Sequence, residues 1–203
     1  MNDGGANQLI LQCHGVTLRS IHPVVKHNSA TIAKPPILRH KHPMSKSLKR
    51  VKRTATELGL EIEVVETSMD THTAEQAAQS QDCHVDQIGK SIIFRGETSG
   101  SAILFLTAGG NRVDATKASA VAGEPLGKAD AALIRAQTGF AIGGVSPIGH
   151  LTPPRAFLDA HLMNFDLIWA AAGTPHHMFS IPPRTLVAAT DAEIARFAAE
   201  PPP

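Results

Sequence analysis

Two apolar runs, IGKSIIFR (88–95) and AILFLTA (102–108), stand a few residues apart, with GETSG (96–100) between them. Each is short, rich in Ile, Leu and Phe, and bounded by turn residues, the pattern of a buried strand. A turn this short joins antiparallel neighbours, because a parallel crossover needs a dozen or more residues. The pair therefore argues against an all-parallel, doubly wound sheet.

The flanking segments keep alternating between strand and helix patterns. From Met44, MSKSLKRVKRTATELGL predicts a basic helix that stops near Gly59. EIEVVET (61–67) alternates like a strand. Thr73 opens TAEQAAQSQ, with Gln76 at the spacing of a capping box. Residues 115–122 and 128–137 predict helices, the second closed by Gly139. Residues 157–159, 165–172 and 178–181 predict strands, the longest ending at Gly173. Pro182-Pro183 starts a short helix, and 191–199 predicts a terminal one. Helices and strands interleave while several strands are joined by short turns, so the expected class is α/β (mixed α+β) with a mixed sheet.

Composition removes several function classes. The 203 residues are enough for one core of ordinary size. A net charge of +1 makes no case for bulk nucleic-acid binding. One Trp and no Tyr make aromatic stacking a minor device. Cys13 and Cys83 are too few for a disulfide framework. No apolar run approaches the ~18 residues of a membrane span, and no secretory leader is legible, so no membrane partner is expected and a cytoplasmic location is.

Residues 1–43 read differently from 44–203. They mix Gly, Asn, His and Pro without lasting periodicity. A disordered extension, or a start chosen upstream of the true initiator Met44, accounts for that better than a functional arm. At the junction, basic residues crowd from Arg39 to Arg53. This strip suits phosphate contact, and equally a solvated helix face.

Candidate chemistry gathers in two places. HVDQIGKS (84–91) imitates the end of a phosphate loop, but His84 stands where that loop needs glycine. The residues after Lys90 also read as a strand rather than a helix. Lys90 itself either snorkels to solvent or points its ammonium into a cleft. AIGGVSPIGH (141–150) holds three glycines and a proline and almost no reactive side chain. Such a loop is either a tight structural turn or a cradle whose backbone N–H groups hold a ligand. Among the remaining polar residues, Asp159 can orient Lys90 or cap a helix, and His150 reads as a polar loop residue. Phe140 and Ile142 read as core or pocket wall. His176 and His177 are adjacent, so on a strand they face opposite ways and do not easily share a metal. No Cys-x-x-Cys or His-x-x-x-His occurs, and no metal or cofactor is expected.

THTAEQAA (71–78), IGKSIIF (88–94), TGFAIGGVSPIGH (138–150) and WAAAGTPHH (169–177) occur in that order. Together they resemble the YbaK family, the prolyl-tRNA synthetase editing domains. The resemblance runs from about Leu60 to Phe197. It implies a mixed, barrel-like curled sheet with helices outside, and hydrolysis of mischarged aminoacyl-tRNA. Lys90 then matches the catalytic lysine, and Gly143 and Pro147 match the G-x-x-x-P loop. His72 and Thr73 fall where a helix start lines the substrate pocket. Gly173 matches the turn closing a strand beyond the pocket, and His176 a histidine carried by some members. Val145 and Ser146 lie inside the loop and join the substrate-binding set. Members favouring Cys-tRNA carry serine where this chain has Ala171, which argues against that substrate. An aminoacyl ester is already activated, so positioned water and a stabilised oxyanion suffice, with Gly143 and Gly144 bringing the backbone close and Lys90 supplying charge. The implied substrate is a small Ala-, Ser- or Thr-like residue on the acceptor end of a tRNA, tRNA(Pro) first. Prolyl-tRNA synthetase is a candidate partner. A non-catalytic module that binds aminoacyl-tRNA or a synthetase is the alternative.

Overall fold

The computed structural model describes residues 44–67 and 73–200. The expectations for residues 1–43 and for His72 lie outside the described residues. In chain order the elements are α1 (Lys46–Glu57), β1 (Val64–Glu66), α2 (Ala74–Gln81), β2 (Ile88–Gly96), β3 (Ala102–Ala108), α3 (Ala115–Ala122), β4 (Leu126–Lys128), α4 (Ala131–Thr138), β5 (Arg155–Asp159), β6 (Ile168–Thr174), β7 (His177–Ile181), α5 (Pro183–Thr190) and β8 (Glu193–Ala195).

The hairpin expected from the sequence is the centre of the sheet. β2 and β3 pair antiparallel from Gly89↔Ala108 to Arg95↔Ala102. All seven residues of β3 are buried, as its unbroken apolar run requires. The strands form one eight-stranded sheet in the order β1-β7-β6-β2-β3-β5-β8, with β4 on β2. β2–β6, β3–β5 and β5–β8 are parallel and the other pairings antiparallel, so the sheet is mixed. It stays open, with β1 and β8 at its ends. On one side Phe105 stacks on Phe157 and meets Phe197 edge-on, at centroid distances of 5.0 and 4.9 Å.

One irregularity of this sheet creates the site. β3 covers the whole of one edge of β2. The other edge is shared: β6 pairs only at Ile88 and Gly89, and β4 only at Phe94, Arg95 and Gly96. Between those pairings, residues 90–93 carry no strand on that edge, and the sheet splits there.

The helices follow their caps. Thr73 and Gln76 form the reciprocal capping box that opens α2. Asp114 and Asp130 cap α3 and α4 more simply, each carboxylate accepting one N–H, from Lys117 and Leu133, and Gly139 closes α4 at φ +75°. Two expectations are corrected. The helix expected at 128–137 starts at Ala131, and Lys128 belongs to β4. The helix expected at 191–199 is instead β8, lying parallel on β5. Asp191 ends α5 in a left-handed conformation at φ +51°, and the open edge of β5 then takes up the next residues as a ladder. Tertiary pairing overrides local helix preference there.

Candidate active site

A cleft of about 370 Å³ opens at the split in the sheet. β2 supplies its floor through residues 88–92. Thr73, Ala74 and Ala77 of α2 form one wall. Ile142, Gly143 and Val145 of the glycine-rich loop form another, and Ala171, Thr174, His177 and Met178 close it. The lining is mostly small and apolar, with a few polar groups among it.

Lys90 lies in this cleft, half-buried, and does not snorkel to solvent. Its Nζ donates to the carbonyls of Gly109 and Asn111, both at 2.7 Å. Burial lowers its pKa from the ordinary lysine value, Arg112 lowers it further, and the carboxylates of Glu75 and Asp86 oppose the fall. The carbonyls that grip the ammonium are themselves fixed. Gly110 N–H donates to Asp86 Oδ1 at 2.9 Å, and Asn111 Nδ2 donates to Asp159 Oδ2 at 2.8 Å. A Cβ on Gly109 would stand 2.1 Å from the carbonyl oxygen of Val85, so only glycine fits. Of the two tasks considered for Asp159, the cap is formed, whereas Lys90 is reached only through Asn111. Oδ1 caps the short 3-10 turn after β5 by accepting from His161 N–H, and Oδ2 holds Asn111, Thr107 and Ala108.

The loop 141–149 divides its glycines between two tasks. Gly143 lines the cleft at φ +85°, a conformation other residues rarely adopt. Gly144 is needed for packing: a Cβ there would lie 2.7 Å from the backbone of Thr174. Its N–H is committed to Ala141 C=O at 3.1 Å, so it is not an open donor as expected. Among the described residues, no hydrogen bond takes up the N–H of Gly143 or of Val145, and both residues line the cleft. Gly143 and Val145, with Ile142 beside them, are therefore cleft residues whose amides are uncommitted among the described residues, whereas Gly144 is not one of them.

The structure thus brings Lys90, Thr73, Gly143 and Val145 together and places the other expected residues that it describes elsewhere. Ser146 is fully buried, and its Oγ accepts from Ile148 N–H at 3.4 Å, tightening the turn. Pro147 faces a separate cavity on the far side of the loop, with Ile148, Gly149 and His150. Gly173, at φ +89°, occupies a bulge within β6, where an added Cβ would stand 3.0 Å from the backbone of Ser47 in α1. His176 does not line the cleft. Its carbonyl accepts from Thr67 N–H, and its Nδ1 is buried without a partner among the described residues.

His177 and Ser91 are among the cleft residues that sequence reasoning missed. His177, the neighbour of His176, lines the cleft, with Nδ1 2.7 Å from Thr174 Oγ1. Burial chiefly lowers its pKa, against the pull of Glu66. Opposite facing of adjacent strand residues marks one of the two histidines, but not which. Ser91 also lines the cleft, and its Oγ is buried without a partner among the described residues. Alternation along a strand would put it opposite Lys90.

Among the described residues no cluster of three or more His, Cys, Asp and Glu side chains could hold a metal. No helix among them is long and apolar enough to cross a membrane.

A fixed cation and uncommitted backbone amides lining one small, mostly apolar cleft suit an enzyme that cleaves an activated ester. The aminoacyl-tRNA editing domain matches residues 68–189, and the chain belongs to that family and is an aminoacyl-tRNA deacylase. It is 32% identical over 140 residues to the uncharacterised protein YwhH of Bacillus subtilis, covering 69% of this chain and 88% of that one. A crystal structure of a proposed trans-editing enzyme for prolyl tRNA synthetase is 43% identical, with a TM-score of 0.73, covering 77% of this chain and 99% of the other. The hypothetical protein APE2540, at 23% identity and a TM-score of 0.68, shares the fold.

Proposed function

We propose that this chain acts in trans on tRNA(Pro), releasing a small amino acid of the Ala, Ser or Thr type from its 3′ end. The carrying observation is the cleft itself: Lys90 is anchored by two carbonyls, and Gly143 and Val145, whose N–H groups no hydrogen bond takes up among the described residues, line the same cleft. The relative named for prolyl tRNA synthetase supports the choice of tRNA.

In this reading the ester carbonyl lies against the Gly143 and Val145 amides, with Lys90 near the developing oxyanion or the terminal phosphate. Water adds to the carbonyl carbon, and the tetrahedral intermediate expels the ribose oxygen. The proton lost by the water balances the one gained by the leaving oxygen, so the products are the free amino acid and intact tRNA. No side-chain nucleophile is required, because donors held in place contribute on the order of 10²–10³ in rate each. The apolar wall of Ala171 and Met178 limits side-chain size.

The test is deacylation of tRNA(Pro) charged separately with Ala, Ser, Thr, Cys and Pro. Selective release of one or two small residues, with Pro-tRNA(Pro) spared, is expected. Equal release of proline would refute the selectivity. No release at all from a folded protein would favour the binding-module alternative.

A further inference from the structure

α1 carries five of the chain's 19 Lys and Arg residues within its 12 positions. Leu48, Val51 and Ala55 form its buried stripe, which turns Lys46, Lys49, Lys52 and Arg53 to solvent. Arg53 is paired with Glu57. Among the described residues no carboxylate pairs with Lys46, Lys49 or Lys52. A face of three uncompensated ammonium groups repels itself, which stability alone does not explain.

The position of the helix suggests a use. Ser47 packs against Gly173, just before the cleft residue Thr174, and its Oγ reaches the carbonyl of Gly139 at 3.5 Å. Arg50 points inward. Its Nε donates to Gly149 C=O at 2.6 Å and its Nη2 to Thr138 C=O at 3.3 Å, so α1 is tied to both ends of the loop that supplies the amides. The positive charge of Lys52 is felt at His177 in the cleft. The other elements around the cleft offer little positive charge. α2 has Glu75 as its only charged residue, and the loop 141–149 has none.

We infer that the exposed face of α1, through Lys46, Lys49 and Lys52, is the docking surface for the phosphate backbone of the tRNA acceptor arm whose 3′ end enters the cleft. The inference rests on the tRNA-deacylase reading above. A chain of phosphates leaving the cleft must pass over some element, and α1 is the one whose charge complements it. Contacts of this kind carry no base sequence, so the surface supplies affinity and orientation while the cleft supplies selectivity.

The experiment measures binding of uncharged tRNA(Pro) by fluorescence anisotropy across a salt series, for wild type and for Lys46→Gln/Lys49→Gln/Lys52→Gln. A control, Lys128→Gln/Arg184→Gln, removes exposed charges from β4 and α5. The triple variant should bind about tenfold or more weakly, with the slope of log K against log salt shallower by about one per lysine removed. Its hydrolysis of an alanyl ester of adenosine, which has no acceptor arm, should match wild type. An unchanged slope in the triple variant overturns the proposal, as does an equal loss in the control or a wild-type protein that binds no tRNA. Lysine-dependent tRNA binding without ester release would uphold the docking surface and sink the deacylation reading instead.

Discussion

The ammonium of Lys90 is held on two sides by carbonyls, which limits where its remaining N–H can point. The hold is relayed: Asp159 fixes Asn111, whose carbonyl fixes the lysine. Asp159→Asn puts an amide where Thr107, Ala108, Asn111 and His161 all need an acceptor. It should destabilise the protein by about 1–3 kcal/mol and lower kcat more than it raises KM, read from urea unfolding and steady-state kinetics. A variant with lowered stability and unaltered kcat would leave Asp159 a purely structural residue. At this scale the sequence was partly legible. Lys90 stood out as a cation inside an apolar strand, and the glycines stood out by density. Which glycine gives an amide and which gives space depends on Thr174, which is distant in sequence, so it could not be read locally. The same holds for His177 over His176, since only the register of β7 decides which one faces the cleft.

The loop from Ala141 to Gly149 is built to keep its shape against β6. Gly143 and Gly144 therefore respond differently to a methyl group. At Gly143 the nearest foreign atom to an added Cβ is Pro175 Cγ at 3.9 Å, so Gly143→Ala meets only the cost of its positive φ, about 1–2 kcal/mol. At Gly144 the methyl would meet rigid backbone at 2.7 Å and push the loop off β6. Gly144→Ala should therefore lose more deacylation than Gly143→Ala relative to each variant's stability. Single-turnover rates paired with thermal unfolding would check this, and the reverse order would contradict the division of tasks. Most elements were legible because their signals are local. The Thr73 capping box and the apolar runs of 88–95 and 102–108 each depend on near neighbours. β4 and β8 were not, because three residues without periodicity become a strand only when an edge is waiting for them. The split along β2 was invisible for the same reason, and it is what makes the cleft.

The molecule as a whole carries a buried titratable group on the far side of the loop. His150 packs edge-on against Phe140 at 5.4 Å, and neither ring nitrogen makes a hydrogen bond of good geometry. Burial lowers its pKa from 6.5 to about 4, although the nearby Ser146 and Pro147 carbonyls favour the charged form. The unfolded chain therefore takes up this proton first as the pH falls. The neutral ring's contribution is fully present above about pH 6.5 and is lost between there and about 4, on the order of 3 kcal/mol in all. Unfolding free energies at pH 7.5 and 4.5 should show that loss in wild type and a smaller one in His150→Gln. Equal losses would remove His150 as the cause. All described residues fall within one structural unit, and we propose that 44–203 is the catalytic part. A chain beginning at Met44 should keep the wild-type deacylation rate, measured side by side with the full chain. The central claim is that catalysis comes from a fixed lysine and open backbone amides. Its most direct test is the single-turnover rate of mischarged tRNA deacylation by Lys90→Ala beside wild type, with unfolding midpoints measured on both. A fall of about 10²-fold or more, with the midpoint retained, is the predicted result. A folded Lys90→Ala that releases the amino acid at the wild-type rate would contradict it.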